Sequence, residues 1–272
     1  MRWFALTVAY DGTKYGGWQI QSNAPSIQQQ LIIAIEKATG EKVHVQGSGR
    51  TDAGVHATGQ VASIRLQGWN APSERLVPAI NRYLPRSIVV RSVQEVVEGF
   101  DAIRNATSKR YRYSIWNARV WDPLHRRVHW WVTRPLDVDA MRRAAEFLLG
   151  THDFKAYETL GSPRKSSIRS IYDLPIQAEP HLDGQNVSIE IEADGFLYNM
   201  VRNIVGALCE VGLGRFDPSW VQAVLESKQR DSSSQTAPGQ GLCLVCVRYP
   251  EHLFVPLVSQ ESQDIFGPDQ NS

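Results

Sequence analysis

The chain has 272 residues, 42% hydrophobic and 21% charged, a globular composition that excludes wholesale disorder. No apolar run reaches the roughly 20 residues that span a bilayer, and Met1-Arg2-Trp3-Phe4 enters a strand-like pattern without a leader's apolar core, so a cytoplasmic protein is expected. A formal net charge of +1, taken at face value, argues against a nucleic-acid partner.

In chain order, residues 3–9 read as a buried strand closed by Asp11-Gly12. Ser26 and Gln29 form a capping-box pattern for a helix near 26–39, with Ile27, Leu31, Ile35 and Ala38 on one stripe. A strand near 43–47 leads into a Gly-rich stretch over 47–54, followed by a strand near 60–66, a short helix over 74–83 and a strand beginning at Ile88. The order is β-α-β-β-α-β.

The order recurs. Tyr111–Trp116 and Val128–Val132 read as strands, and Asp137 caps a helix with Val138, Met141, Ala145, Leu148 and Leu149 on one face. Strands near 168–177 and 187–193 follow, then helices at about 197–212 and 218–227 and a strand over 242–249. Residues 161–167 and 232–239 are polar and read as mobile loops. The expected fold is α+β, two ferredoxin-like, RRM-like halves with mixed, mainly antiparallel sheets. The halves are set at 1–104 and 105–250, with a polar, acidic tail over 251–272.

Charge is uneven along this frame. Residues 101–134 carry eight Lys and Arg against Asp101 and Asp122, whereas 251–272 hold four acids and no Lys or Arg. Tyr111, Tyr113, Trp116, Trp121, Trp130 and Trp131 interleave with the basic stretch, the pattern of a polyanion site with stackable bases. A solvated basic face is the plainer reading of the same charges. Cys243 and Cys246 lie in an apolar strand, where an odd separation predicts thiols on opposite faces. His125 and His129 have the spacing of metal ligands, yet no further ligand completes a shell, so no metal and no cofactor are expected.

The stretch Gly47-Ser48-Gly49-Arg50-Thr51-Asp52-Ala53-Gly54-Val55-His56 carries the chemistry. Its glycines permit close approach by a ligand, and Arg50 near Asp52 sets a cation beside a carboxylate. An Asx turn with a surface arginine is the plain alternative. Asp52 has no second acid nearby, between Glu41 and Glu74, which disfavours a two-carboxylate glycosidase or a metal nuclease. A lone ionised acid suits nucleophilic attack or proton abstraction.

Gly49-Arg50-Thr51-Asp52-Ala53-Gly54-Val55-His56 resembles the active-site motif of the TruA family of tRNA pseudouridine synthases. Four further blocks agree in order: Tyr10-Asp11-Gly12-Thr13 with Tyr15-Gly16-Gly17-Trp18-Gln19; Lys109-Arg110-Tyr111-Arg112-Tyr113; Phe196 through Gly206; and Thr236-Ala237-Pro238 with Gly241-Leu242. The chain departs from the family pattern at Asn199, often His there, and at Cys243, often aromatic.

The resemblance implies the pseudouridine synthase fold and isomerisation of uridine to pseudouridine at positions 38, 39 and 40 of the tRNA anticodon stem-loop, by a homodimer without cofactor. It implies that Asp52 is the nucleophile or essential base, with attack at C1′, attack at C6 and deprotonation at C2′ all open to one carboxylate. It also implies that Tyr111 stacks on the uracil, Arg202 pairs with Asp52, Leu242 packs on the base, and Arg50 steers a phosphate or helps extrude the nucleotide. Lys109, Arg110, Arg112, Arg126, Arg127, Arg164 and Lys165 are candidates for contacts to the RNA backbone. A non-catalytic RNA-binding protein of the same fold, or a nucleoside or RNA hydrolase, are the competing classes.

Overall fold

The computed structural model describes residues 1–159, 166–181, 183–229 and 234–256. The first half runs β1 (Arg2–Tyr10), α1 (Ile27–Thr39), β2 (Gln46–Gly47), β3 (His56–Leu66), α2 (Leu76–Asn81) and β4 (Ile88–Val96). The second runs β5 (Ser108–Ala118), β6 (Trp130–Val132), α3 (Val138–Glu146), β7 (Gly150–Asp153), β8 (Ile168–Asp173), β9 (Ile176–His181), β10 (Gly184–Ala193), α4 (Met200–Gly212), α5 (Ser219–Ser227) and β11 (Leu242–Arg248).

Local chemistry explains the ends of the elements. The Ser26 side chain accepts from the Gln29 amide at 3.3 Å to start α1, and Gly40, at φ 76°, ends it. Asp137 caps α3 through the Ala140 amide at 2.9 Å. The helix expected from 197 begins only at Met200, because Asn199 takes a left-handed φ of 59° and breaks the spiral before it.

The strands form one sheet in the order β4-β1-β3-β11-β5-β10-β8-β7, with β2 on β3, β6 on β5 and β9 on β10. Pairing is antiparallel except for β11 with β3 and β6 with β5. The halves therefore do not keep separate sheets: β11, last in the chain, lies between β3 of the first half and β5 of the second. Its residues Leu242 and Leu244 are buried, which suits a central strand. Where two strands were expected near 168–193 there are three, and β7 adds a fourth that its short polar sequence does not announce.

Register divides the sheet's faces. Tyr111 and Tyr113 join the core with Leu208, Val205 and Val201 of α4, while Arg110 and Arg112 point to the other face. There Arg110 meets Glu190 at 2.9 Å, Glu192 at 2.6 Å and Asp173 at 2.9 Å, and Arg112 meets Glu190 at 2.6 Å. The opposite-face expectation for the two cysteines is corrected on this side too. The β11–β5 register slips at Val245, so Cys243 faces Arg112 and Cys246 faces Arg110. Arg110 and Arg112 share a face; the bulge therefore puts both thiols on it.

The segment after β11 is not loose at its start. A second core cluster of Ala5, Val61, Val96, Phe100 and Ala102 is covered by Tyr249, Leu253 and Phe254. The Val97 amide donates to Leu253 O and the Val255 amide to Glu95 O, both at 3.0 Å, tying residues 251–255 to the edge of β4. Of the tail expected over 251–272, residues 257–272 lie outside the described residues.

Candidate active site

The loop between β2 and β3 is clamped from three sides. Gln60 of β3, fully buried, donates to Gly49 O at 3.0 Å and accepts from the Ser48 hydroxyl at 2.6 Å. Tyr10, at the end of β1, shares a hydrogen bond with Thr51 at 2.8 Å. The Trp18 amide donates to Thr51 O at 3.0 Å, and at Gly17, φ 110°, a Cβ would fall 2.5 Å from that same carbonyl. The tyrosine–glycine–tryptophan signature near the N-terminus therefore works as scaffolding for the loop rather than as chemistry.

Held this way, Asp52 presents a carboxylate with 28% of its side chain accessible. Burial raises its pKa above the usual carboxylate value, and Arg202 opposes the shift. Arg202 Nη1 stands 3.5 Å from Asp52 Oδ2, across 150 positions of sequence. The cation beside Asp52 is thus Arg202; Arg50 is exposed and makes no ion pair among the described residues.

Arg202 is itself fixed. Its Nε donates to Ala237 O at 2.7 Å and its Nη1 to Asn199 Oδ1 at 2.8 Å. The Asn199 amide in turn donates to Thr159 Oγ1 at 3.2 Å. Sequence reasoning noted Asn199 only as a departure from the family pattern; its place three residues before an arginine on the same helix turn is what gives it a partner.

Part of the loop expected to be mobile over 232–239 is anchored, and residues 230–233 lie outside the described residues. Thr236 donates to Asn203 Oδ1 at 2.7 Å, the Ala237 amide donates to Arg202 O at 3.1 Å, and Tyr113 donates to Pro238 O at 2.7 Å. A Cβ at Gly241 would sit 2.6 Å from the Tyr113 ring, so that position accepts only glycine without a shift. This loop delivers Leu242, buried and in register with Tyr113, into the same region.

Tyr111 lies on the core face of β5, edge-on to Phe196 with ring centroids 5.1 Å apart. Burial, then the neighbouring Tyr10 and Asp52, push its phenol well above the ordinary tyrosine range, so it stays protonated at neutral pH. It offers an aromatic face and a neutral hydroxyl beside an acid.

The basic candidates divide. Lys109, two residues from Tyr111 on the same face, donates to Ser48 O at the base of the Asp52 loop. Arg110 and Arg112 lie on the far face, paired with carboxylates, and do not join the site. Arg126 and Arg127 are exposed; the Arg127 carbonyl accepts from His56 Nε2 at 2.8 Å, while His56 Nδ1 accepts from the Gly12 amide at 3.1 Å. That pair of bonds fastens the turn holding Arg126 and Arg127 to the Asp52 loop. Arg164 and Lys165 lie outside the described residues. No group of three or more His, Cys, Asp or Glu is placed to hold a metal among the described residues.

A partly buried acid with one arginine and an adjoining tyrosine can act on an uncharged ring within a polyanion. The family model for tRNA pseudouridine synthase matches residues 6–102 and 144–250. The chain is 45% identical over 249 residues to tRNA pseudouridine synthase A of a Thermoanaerobacter species, covering 92% of this chain and 100% of that protein. It is 46% identical over 247 residues to the Myxococcus xanthus protein of the same name, covering 90% and 91% of the two chains. With three quarters of its length matched by the family model and such relatives spanned nearly end to end, the chain belongs to the tRNA pseudouridine synthase family, whose members are isomerases.

Proposed function

We propose that this protein converts uridine to pseudouridine at positions 38, 39 and 40 of the tRNA anticodon stem-loop, with Asp52 as the nucleophile. The observation that carries the reading is the 3.5 Å pairing of a partly buried Asp52 with Arg202, beside a protonated Tyr111. In the reaction the N1–C1′ bond breaks, the uracil turns, and a C5–C1′ bond forms. The C5 proton is lost and N1 gains one, so substrate and product are isomers and no oxidant or group donor is consumed. Asp52, ionised and held by Arg202, supplies the electron pair that releases the base. Tyr111 keeps the freed ring stacked while it turns, and Leu242 closes the apolar side. Arg50, exposed on the same loop, meets the phosphate of the extruded nucleotide.

Acting at several positions in unlike sequences favours shape over base identity, and a cytoplasmic homodimer would double the cationic surface offered to the RNA. The test is release of tritium from tRNA labelled at uracil C5, without added metal and with the chain left uncut. Asp52→Asn is expected to abolish release while tRNA binding persists. Wild-type turnover by that variant would overturn the assignment. Strand cleavage or free uracil would instead place the protein among hydrolases, and binding without release would mark a non-catalytic RNA-binding protein.

A further inference from the structure

The turn from 119 to 131 carries features that the isomerisation does not use. Val120, Trp121, Leu124, Val128 and Trp131 are all exposed, Trp121 by 52% and Trp131 by 44%. Exposed large apolar groups gathered in one short segment mark a binding surface more often than a chance scatter. Of these, Trp121 and Trp131 line a pocket of about 300 Å³, walled also by Trp116, Asp122, His125, Arg126 and His129. That volume is at the lower end of small-ligand sites and calls for one flat group rather than a chain.

The walls are held rigid. Trp116 donates to Val120 O at 3.1 Å and Trp131 to Ala118 O at 2.9 Å. His125 stacks on Trp116 with centroids 4.7 Å apart and planes 9° from parallel, and its Nδ1 lies 3.0 Å from an Asp122 oxygen. His129 Nε2 lies 3.1 Å from Asn186 Oδ1.

Arg126 lines the pocket and Arg127 follows it in the chain; both are exposed, and neither has a carboxylate within salt-bridge distance among the described residues, in contrast to Arg110 on the far face. The pocket also adjoins the catalytic loop. Gln240 forms part of its wall, and the Gln240 amide lies 3.9 Å from the place of a Cβ on Gly54; His56 ties Arg127 to the same loop.

We propose that this pocket takes a second nucleobase of the bound RNA, a neighbour of the target uridine, stacked on Trp121 and Trp131 with its phosphate on Arg126. Rigid aromatic faces beside an exposed arginine that no carboxylate neutralises match a nucleotide's flat base and its phosphate. The inference rests on the proposed action on tRNA and extends it: the enzyme grips two bases, one for chemistry and one for register.

The experiment is steady-state tritium release from full-length tRNA by the intact protein and by Trp121→Ala, whose exposed ring carries little of the fold. The expected result is a KM raised roughly 5- to 150-fold, the range for one base stack, with kcat within twofold and the thermal midpoint unchanged. Trp121→Phe, which keeps an aromatic face, should restore most of the affinity. Stem-loop RNAs with 2-aminopurine at single positions beside the target should include one whose fluorescence is quenched by the wild type and not by Trp121→Ala. A KM within twofold of wild type overturns the proposal, as does a loss confined to kcat, or a protein partner that binds the patch while tRNA affinity stays unchanged. Absence of tritium release by the wild type would instead strike the underlying function.

Discussion

Replacing Asn199 separates a backbone effect from a catalytic one. The residue sits at φ 59° and ψ 8°, where alanine costs roughly 1–2 kcal/mol and glycine almost nothing. Its side chain also accepts from Arg202 Nη1 at 2.8 Å, a hydrogen bond to a charged group of the kind worth about 1.5–3 kcal/mol. Asn199→Ala removes both contributions, while Asn199→Gly removes only the second. The glycine variant should therefore melt about 2–4 °C above the alanine variant, on the usual scaling for a domain of this size. Both should lose about tenfold or more in kcat/KM for tritium release, since an Arg202 held only by Ala237 O no longer stays aimed at Asp52. A glycine variant with wild-type kcat/KM would refute the reasoning, because the hydrogen bond would then serve the fold alone.

The Asp52 carboxylate, raised by burial, must be ionised to attack, so kcat/KM should fall as pH drops through a value above 3.8, and Arg202→Met should move that acid limb to higher pH; a limb indifferent to Arg202 would break the link between the two groups. On the far face, burial pushes Glu192 up, but the Ser108 hydroxyl, Arg110 and Arg248 outweigh it and hold the acid at about 2 against an ordinary 4.5. Its folded pKa is the lower one, so its stabilisation is present above pH 4.5 and is lost as pH falls toward 2; acid unfolding of Glu192→Gln should show a shallower slope in that window. Gly241→Ala drives a Cβ to within 2.6 Å of the Tyr113 ring and should displace the loop that carries Ala237 and Leu242, lowering kcat while stem-loop binding by filter retention is largely kept; an unchanged kcat would show that the loop adjusts freely.

The sequence was legible where chemistry is local. Ser26 and Asp137 announced the helix starts that the structure shows, and the glycine-flanked Asp52 stood out because no second acid lies near it. Longer-range features were opaque for identifiable reasons. Spacing alone suggested Arg50, two residues away, as the partner of Asp52, but Arg50 is exposed and the cation is Arg202 of α4, as the family resemblance implied. The basic run from 109 to 112 looked like one surface, yet strand alternation sends Lys109 toward the Asp52 loop and Arg110 and Arg112 to a carboxylate lattice on the opposite side. The partner strand supplying Glu190 and Glu192 lies some eighty positions away, beyond any pattern in the run itself. The bulge at Val245 likewise depends on how β11 meets β5, and no spacing rule within the strand reveals it.

The place of β11 between β3 and β5 bears on the order of events during synthesis. A ribosome that has made the five α-helices and the first ten of the eleven strands among the described residues has still produced two sheet edges with nothing between them. Ala237, which holds Arg202, and Leu242, which closes the pocket, arrive with that same last segment. A nascent chain should therefore leave cellular RNA untouched until its final strand slides into the gap. A synthetic peptide spanning residues 234–256, added to a chain that stops before it, is the direct way to watch the catalyst switch on.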